Sequence, residues 1–403
     1  MLELINIKKY LTIIFFYLTI IYIGVGSTGA GIQNNKDISY GFLYLFILMF
    51  FFFRKEMISN INKEVLYPIS IMMVSFFISC FYTEFKNNAD VWLRYYAIAA
   101  CLLFSYLSYI VIVNRIVNIR SVIAVIAALG LFHTIVLLNI WFSEEIPAKY
   151  NWINGIPFFS NIRHLADYIS ISFLCALFLF LTAIGKKAKL FWLLMSIIIL
   201  TCVFWTGSRA AYIGIFPSIL VLFFLLRKRV SNLISIAFIC VTSAVLTLFF
   251  QTTHFNVGFF SAFSRSAGNS LNSISSNRVE LYKTIFEWFS YHPLWGLGAE
   301  SVKELGFYQG DNRLTAQAHN SILQILVEFG LMGLIFLSML LYKILKKFRY
   351  EKTNAIYAIC VAVTINIFVA SLFNGGAYYV VTISTFCLFV AIAFAYKKLN
   401  YEN

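Results

Sequence analysis

Charge is scarce in this sequence of 403 residues: only 12% are Asp, Glu, Lys or Arg, against 61% hydrophobic. So little charge cannot clothe a water-soluble globule of ordinary surface, which makes the chain a polytopic integral membrane protein. Acidic residues are rarer than basic ones, 17 against 31. No Asp-x-Asp pair, no His-x-x-x-His and no acidic cluster in the longest polar loop offers a ligand set for a divalent metal. Gly-x-Ser-x-Gly, Walker and dinucleotide fingerprints are also missing, so a serine elbow and a nucleotide cradle have no motif to rest on. The seven cysteines all fall within or at the ends of apolar runs, where they behave as small hydrophobes and imply no disulfide or metal framework. No cofactor is expected.

What the chain has in abundance is apolar runs near 20 residues, the length that crosses about 30 Å of hydrocarbon as a helix. About 12 are expected, and the fold class is an all-α polytopic membrane protein. Residues 1–250 supply nine spans, among them a short second one, Tyr40–Phe53, and a sixth, Ala166–Ile184. Residues 251–318 form one large loop, and residues 319–403 supply the last three spans. Tyr10–Val25 resembles a signal-peptide core but lacks a small-residue cleavage site, so it is kept as the first helix. Alternate loops hold 20 of the 31 basic residues, which places those loops and both termini in the cytoplasm. The net charge of +14 is then mostly a topology signal, and a nucleic-acid partner is rejected.

The opposite loops are where chemistry can reside. Gly26–Ser39 and Thr83–Val91 read as polar turns, and Asn374–Ala377 as a tight Gly-Gly hairpin. Ser143–Tyr168 contains Arg163, His164 and Asp167. The dominant loop, Gln251–Ala318, holds five basic and five acidic side chains. Within it, Ser261–Asn277 is Ser/Asn/Gly-rich and reads as flexible. Val279–Phe289 has apolar residues at helical spacing, with Leu281, Ile285, Trp288 and Phe289 on one face, a helix suited to the membrane interface. Tyr291-His292-Pro293 ends it, and Gly296 and Gly298 mark a turn back toward the membrane.

Eleven basic residues remain off the cytoplasmic face, where topology has no use for them. Arg209, in the short break Thr206-Gly207-Ser208-Arg209-Ala210-Ala211, either snorkels to lipid phosphate or converges with backbone on a bound phosphate. Arg278 opens the loop helix, as a solvated residue near Glu280 or as a second anion ligand. Arg265 reads more simply as a loop charge. His319 stands where the long loop re-enters the membrane, either as an interfacial cap or as a base, since imidazole alone has an unperturbed pKa near neutrality. His164, beside Arg163, is the second choice. Outside the cytoplasm no nucleotide drives synthesis, so a transferase there needs a donor already activated, such as a lipid diphosphate.

Several motifs carry a family resemblance. Thr206-Gly207-Ser208-Arg209-Ala210-Ala211, then Asn277-Arg278 with Trp288 and His292-Pro293-Leu294-Trp295-Gly296-Leu297-Gly298, then Ala318-His319-Asn320-Ser321 and Glu328-Phe329-Gly330-Leu331-Met332-Gly333 resemble the O-antigen ligase and polymerase superfamily in order and spacing. Asn161-Ile162-Arg163-His164-Leu165-Ala166-Asp167 is similar to a segment of some ligases. The resemblance implies a GT-C-like, metal-independent, inverting glycosyltransferase acting in the periplasm, at the bacterial inner membrane. It implies that Arg209 and Arg278 bind the diphosphate of an undecaprenyl-diphosphate-linked glycan and that His319 activates the acceptor hydroxyl, with Arg163, His164 and Arg265 as secondary substrate contacts. A ligase with lipid A-core as acceptor is favoured, because the Arg-x10-Gly spacing of some polymerases is absent after Arg163, Arg209, Arg265, Arg278 and Arg313. A polymerase, and a ligase acting on protein hydroxyls, share the layout. A transporter or flippase is the reading from another class. It is weakened because the main ionisable candidates within spans, Glu328 and His133, have no obvious partner in the sequence.

Overall fold

A computed structural model of the protein describes residues 2–25, 32–59, 63–227, 230–253, 257–261, 278–308, 314–315, 317–348 and 354–401. These residues are almost wholly helical: α1 (Leu2–Val25), α2 (Ile32–Ser59), α3 (Lys63–Tyr82), α4 (Ala89–Val113), α5 (Ile119–Ser143), α6 (Ile162–Thr182), α7 (Lys186–Trp205), α8 (Arg209–Leu225), α9 (Val230–Leu246), α10 (Arg278–Tyr291), α11 (Ser301–Leu305), α12 (Ser321–Phe348), α13 (Ala355–Asn374) and α14 (Val380–Tyr401). Apolar runs become helices because lipid offers no partner to a backbone amide or carbonyl, which must bond within its own segment. Among the described residues ten helices are long and apolar enough to cross a bilayer. The 17-residue α8 and the 28-residue α2, kinked at Phe53, make up the rest of the twelve expected segments.

Two boundaries differ from expectation. α2 begins at Ile32, so residues 32–39 are helical rather than part of a polar turn. α6 begins at Ile162, which puts Arg163, His164 and Asp167 on its first turns instead of in a loop. Both have one cause: a helix can run past the hydrocarbon without exposing unpaired backbone, so hydropathy marks the apolar slab and not the helix end. A two-residue antiparallel ribbon, Phe307–Tyr308 with Leu314–Thr315, is the small exception to the helical pattern among the described residues.

α6 is the central helix, buried along nearly its whole length. α13 packs most extensively on α8, α14 on α4, and α12 on α3. A second, smaller apolar cluster of Leu281, Ile285, Leu297, Val302, Ala318 and Val327 seats α10 against the start of α12. Leu281 and Ile285 are the expected inner face of that helix. Burying each stabilises by about 2 kcal/mol, which anchors the turn carrying Arg278.

The paired glycine motifs have a structural explanation. α12 is interrupted at Gly330, whose φ of 66° and ψ of −168° are closed to side-chain-bearing residues. The backbone groups released there bond to the segment following α10: Leu331 N–H donates to the Pro293 carbonyl (2.9 Å) and Met332 N–H to that of Leu294 (3.1 Å). In return Leu297 N–H donates to Val327 O (2.9 Å) and Gly298 N–H to Glu328 O (2.8 Å). A Cβ on Gly330 would sit 2.3 Å from the Leu294 carbonyl oxygen. Gly330→Ala is therefore expected to destabilise by about 1–3 kcal/mol from backbone strain alone, with the clash in addition. A lowered melting temperature in detergent would show it, and an unchanged one would refute it.

Candidate active site

Four segments expected on one face of the membrane converge at one end of the bundle. Each reactive side chain is set by a local cap. Asn161 accepts the Arg163 amide (2.9 Å), which starts α6 and fixes Arg163 and His164 on its first turn. Gly207, with φ of 64°, turns the chain so that Ser208 caps α8 through the Ala211 amide (3.4 Å) and Arg209 becomes its first residue. Asn320 caps α12 by accepting from Ile322 (2.9 Å) and Leu323 (3.2 Å). His319, just before that cap, is held in the left-handed region at φ of 51°, an uncommon conformation for a residue with a side chain.

The Gly375 hairpin closes the site from above α13. Gly375 ends α13 in the left-handed conformation, and a Cβ there would lie 3.4 Å from the His319 Cα. The His319 ring bonds to the Asn374 main chain. Because that bond favours the protonated ring, the partner is the carbonyl, and the ring nitrogen facing it is the donor. Asn374 is itself fixed: its amide nitrogen donates to both oxygens of buried Asp167, at 2.6 and 2.7 Å, and its oxygen accepts from Gly376 N–H (2.8 Å).

The Arg163 and Arg278 guanidiniums stand near the imidazole, and Arg209 stands near those two. Arg278 Nη1 donates to the Phe373 carbonyl, and Tyr282 bonds the same side chain one turn on. Its Nε is buried with no hydrogen-bond partner. Burial, reinforced by Arg163 and Arg209, holds the Arg278 pKa below the usual arginine value. Even so, a guanidinium stays charged. Burial pushes the His319 pKa down to about 4, and the Arg278 and Arg163 charges push the same way. His319 is thus neutral at ordinary pH and competent to accept a proton. Neither Arg163 nor Arg278 forms an ion pair with a carboxylate among the described residues. Like charges gathered this closely make a site that favours an anion.

Arg163, Arg209, Arg278 and His319 are therefore brought together, as is His164. That ring packs on Tyr379, centroids 3.9 Å apart, and the Tyr379 hydroxyl accepts from Gln317. Arg265 and most of the Ser261–Asn277 stretch lie outside the described residues. Two intramembrane groups that seemed unpartnered are not. His133 Nε2 bonds to the Gly24 carbonyl (2.8 Å) amid Phe158, Phe159 and Tyr168. Glu328 accepts from Tyr378 OH (2.6 Å) and from Gln324 (2.7 Å). Among the described residues no three His, Cys, Asp or Glu side chains gather to hold a metal ion.

Sequence reasoning did not find Asp167, Asn374, Gln324 or Tyr378 as parts of the site, nor Arg94, buried one turn inside α4 and ion-paired to Glu300 at 2.5 Å. An arginine within an apolar span was the available signal for the last. Beside the site, an apolar cavity of about 1010 Å³ runs between α3, α4, α12, α13 and α14. Its lining extends from Ser321, Ala377 and Tyr378, next to His319, to Ile344 and Lys397 near the far ends of α12 and α14.

Comparison with known proteins agrees with the motifs. The chain is 25% identical over 287 residues to the teichuronic acid biosynthesis protein TuaE of Bacillus subtilis (strain 168), a match covering 66% of this chain and 57% of that protein. The chain thus spans little more than half the length of that relative. A family model described as O-antigen ligase matches residues 194–338, the stretch that carries Arg209, Arg278 and His319. With ten helices of membrane-spanning length among its described residues, the chain is a multi-pass membrane protein in which residues 194–338 match the O-antigen ligase family model.

Proposed function

We propose that the protein is an O-antigen ligase that moves a glycan from undecaprenyl diphosphate to a sugar hydroxyl of lipid A-core, on the periplasmic side of the bacterial inner membrane. Both termini face the cytoplasm in this reading, and neither metal nor nucleotide takes part. The observation that carries it is a cluster of Arg163, Arg209 and Arg278, two of which, Arg163 and Arg278, lie near a neutral imidazole, His319. A diphosphate supplies the anion that this cluster favours, with the buried Arg278 Nε as one donor to it. The His319 imidazole takes the proton of the acceptor hydroxyl as its oxygen attacks the anomeric carbon. The bond from that carbon to the diphosphate breaks, and the guanidiniums stabilise the charge that develops on the leaving group. Attack opposite the leaving group inverts the anomeric centre. The apolar cavity whose lining includes Ser321 would receive prenyl chain while the headgroup lies among the arginines.

A second reading is a polymerase that extends glycan on undecaprenyl diphosphate, which the relative named for teichuronic acid biosynthesis keeps in play, since that name specifies no lipid A-core acceptor. Purified protein with undecaprenyl-diphosphate glycan and lipid A-core, in chelator and without nucleotide, separates the two on a gel. Glycan on lipid A-core is the expected product. Longer glycan remaining on undecaprenyl diphosphate would make the protein a polymerase, and no product of either kind would sink the transferase reading.

A further inference from the structure

A buried polar frame, unused by the chemistry above, ends on the backbone next to the base. Ala318 N–H donates to Gln324 Oε1 (2.7 Å), and Gln324 Nε2 donates to Glu328 Oε1 (2.7 Å). Glu328 Oε2 accepts from Tyr378 OH (2.6 Å). Tyr378 is pinned in turn, its carbonyl accepting from Arg94 Nη1 (2.8 Å) and its ring lying 4.0 Å from the Arg94 guanidinium, which pairs with Glu300. Gln324 and Glu328 are 1% and 0% exposed, so a lost partner would not be replaced by water.

The direction of the chain is what matters. A backbone N–H only donates, so Ala318 takes the oxygen of Gln324, and the amide nitrogen then turns inward to Glu328 Oε1. That oxygen holds the amide of Ala318, the residue preceding His319, which itself stands in the left-handed conformation. Tyr378 belongs to the same hairpin whose Asn374 binds the His319 ring. The frame therefore ties the backbone of His319 and the partner of its ring to one rigid set of groups.

We propose that Gln324 is a positioning residue for His319, oriented by Glu328, and that it acts on catalysis through the placement of the imidazole rather than by touching substrate. The inference rests on His319 being the base. Gln324→Leu removes the acceptor for Ala318 while keeping similar volume. It is expected to lower kcat about 100-fold, the scale of a misplacement near 1 Å, with donor KM within about twofold of wild type.

The deciding variant exchanges the pair. Gln324→Glu with Glu328→Gln keeps each hydrogen bond: a carboxylate at 324 accepts from Ala318 N–H and from the amide now at 328, whose oxygen accepts from Tyr378. It also leaves net charge unchanged. This double variant should recover kcat to within about threefold of wild type, whereas Gln324→Glu alone should not, since two adjacent buried carboxylates must then share a proton. Each variant is checked for a monodisperse, wild-type elution profile in detergent, and His319→Ala is assayed beside them. Wild-type kcat in Gln324→Leu, or failure of the well-folded double variant to recover, overturns the positioning role. Wild-type activity in His319→Ala overturns the base assignment and this inference with it.

Discussion

His319→Ala is expected to reduce transfer by about 10²–10⁴-fold while the protein still inserts and folds, because a positioned general base contributes on that scale. The geometry makes the loss one of chemistry rather than of binding. The imidazole is bonded to the Asn374 main chain, and burial, with the Arg278 and Arg163 charges pushing the same way, keeps it unprotonated. The pH dependence follows from sign. In the free enzyme the pKa lies near 4, below the 6.5 of an unperturbed histidine, so the base is lost only as pH falls toward 4. The acid limb of kcat/KM should therefore sit well below pH 6.5. Bound diphosphate offsets the arginine charges and raises the pKa, so the acid limb of kcat should lie at higher pH than that of kcat/KM. The same depression links to stability: this group's contribution is present in full above pH 6.5 and is lost as pH falls through about 4. An acid limb of kcat/KM at or above 6.5, or undiminished turnover in well-expressed His319→Ala, would remove the base from His319.

How far the sequence disclosed this site depends on what kind of signal each residue gives. The spans were legible because twenty apolar residues between charged loops have few other uses, and α10 was legible because its buried face repeats at helical spacing. Arg209, Arg278 and His319 stand out through position, as basic groups at polar breaks away from the loops expected on the cytoplasmic side. Asp167 and Asn374 gave no such signal. They are 207 positions apart, each at a helix end, and only the packing of α6 against α13 makes them partners. Gln324 and Tyr378 are neutral residues inside or beside apolar runs, where periodicity reports burial but not which hydrogen bonds are made. The glycine motifs were read as a turn, yet Gly296 and Gly330 belong together. Each is needed because the loop after α10 runs against the broken backbone of α12, a contact of two distant segments that local pattern does not encode.

Arg278→Ala should abolish measurable transfer, and Arg209→Lys should be severely impaired. Removing one preorganised donor from a developing oxyanion lowers the rate by about 10²–10³-fold. Arg278 contributes more than a donor, since its charge also helps keep His319 neutral and its Nη1 ties α10 to the end of α13. Its guanidinium serves two directions at once, Nη1 on the Phe373 carbonyl and Nε, buried without a partner, left for the anion. An ammonium is a point charge and lacks that fork, so Arg278→Lys is also expected to fail. For Arg209 the two explanations predict opposite results. An arginine that snorkels to lipid phosphate tolerates lysine, because both reach the interface with a positive charge. One that grips a diphosphate in bidentate fashion does not. Donor titrations at several glycan-lipid concentrations separate kcat from KM for each variant, with elution profiles establishing that each is folded. Near-normal turnover in Arg209→Lys would return that residue to the lipid interface and leave Arg163 and Arg278 as the anion site. A loss of 100-fold or more with the fold intact would put all three guanidiniums on the departing diphosphate.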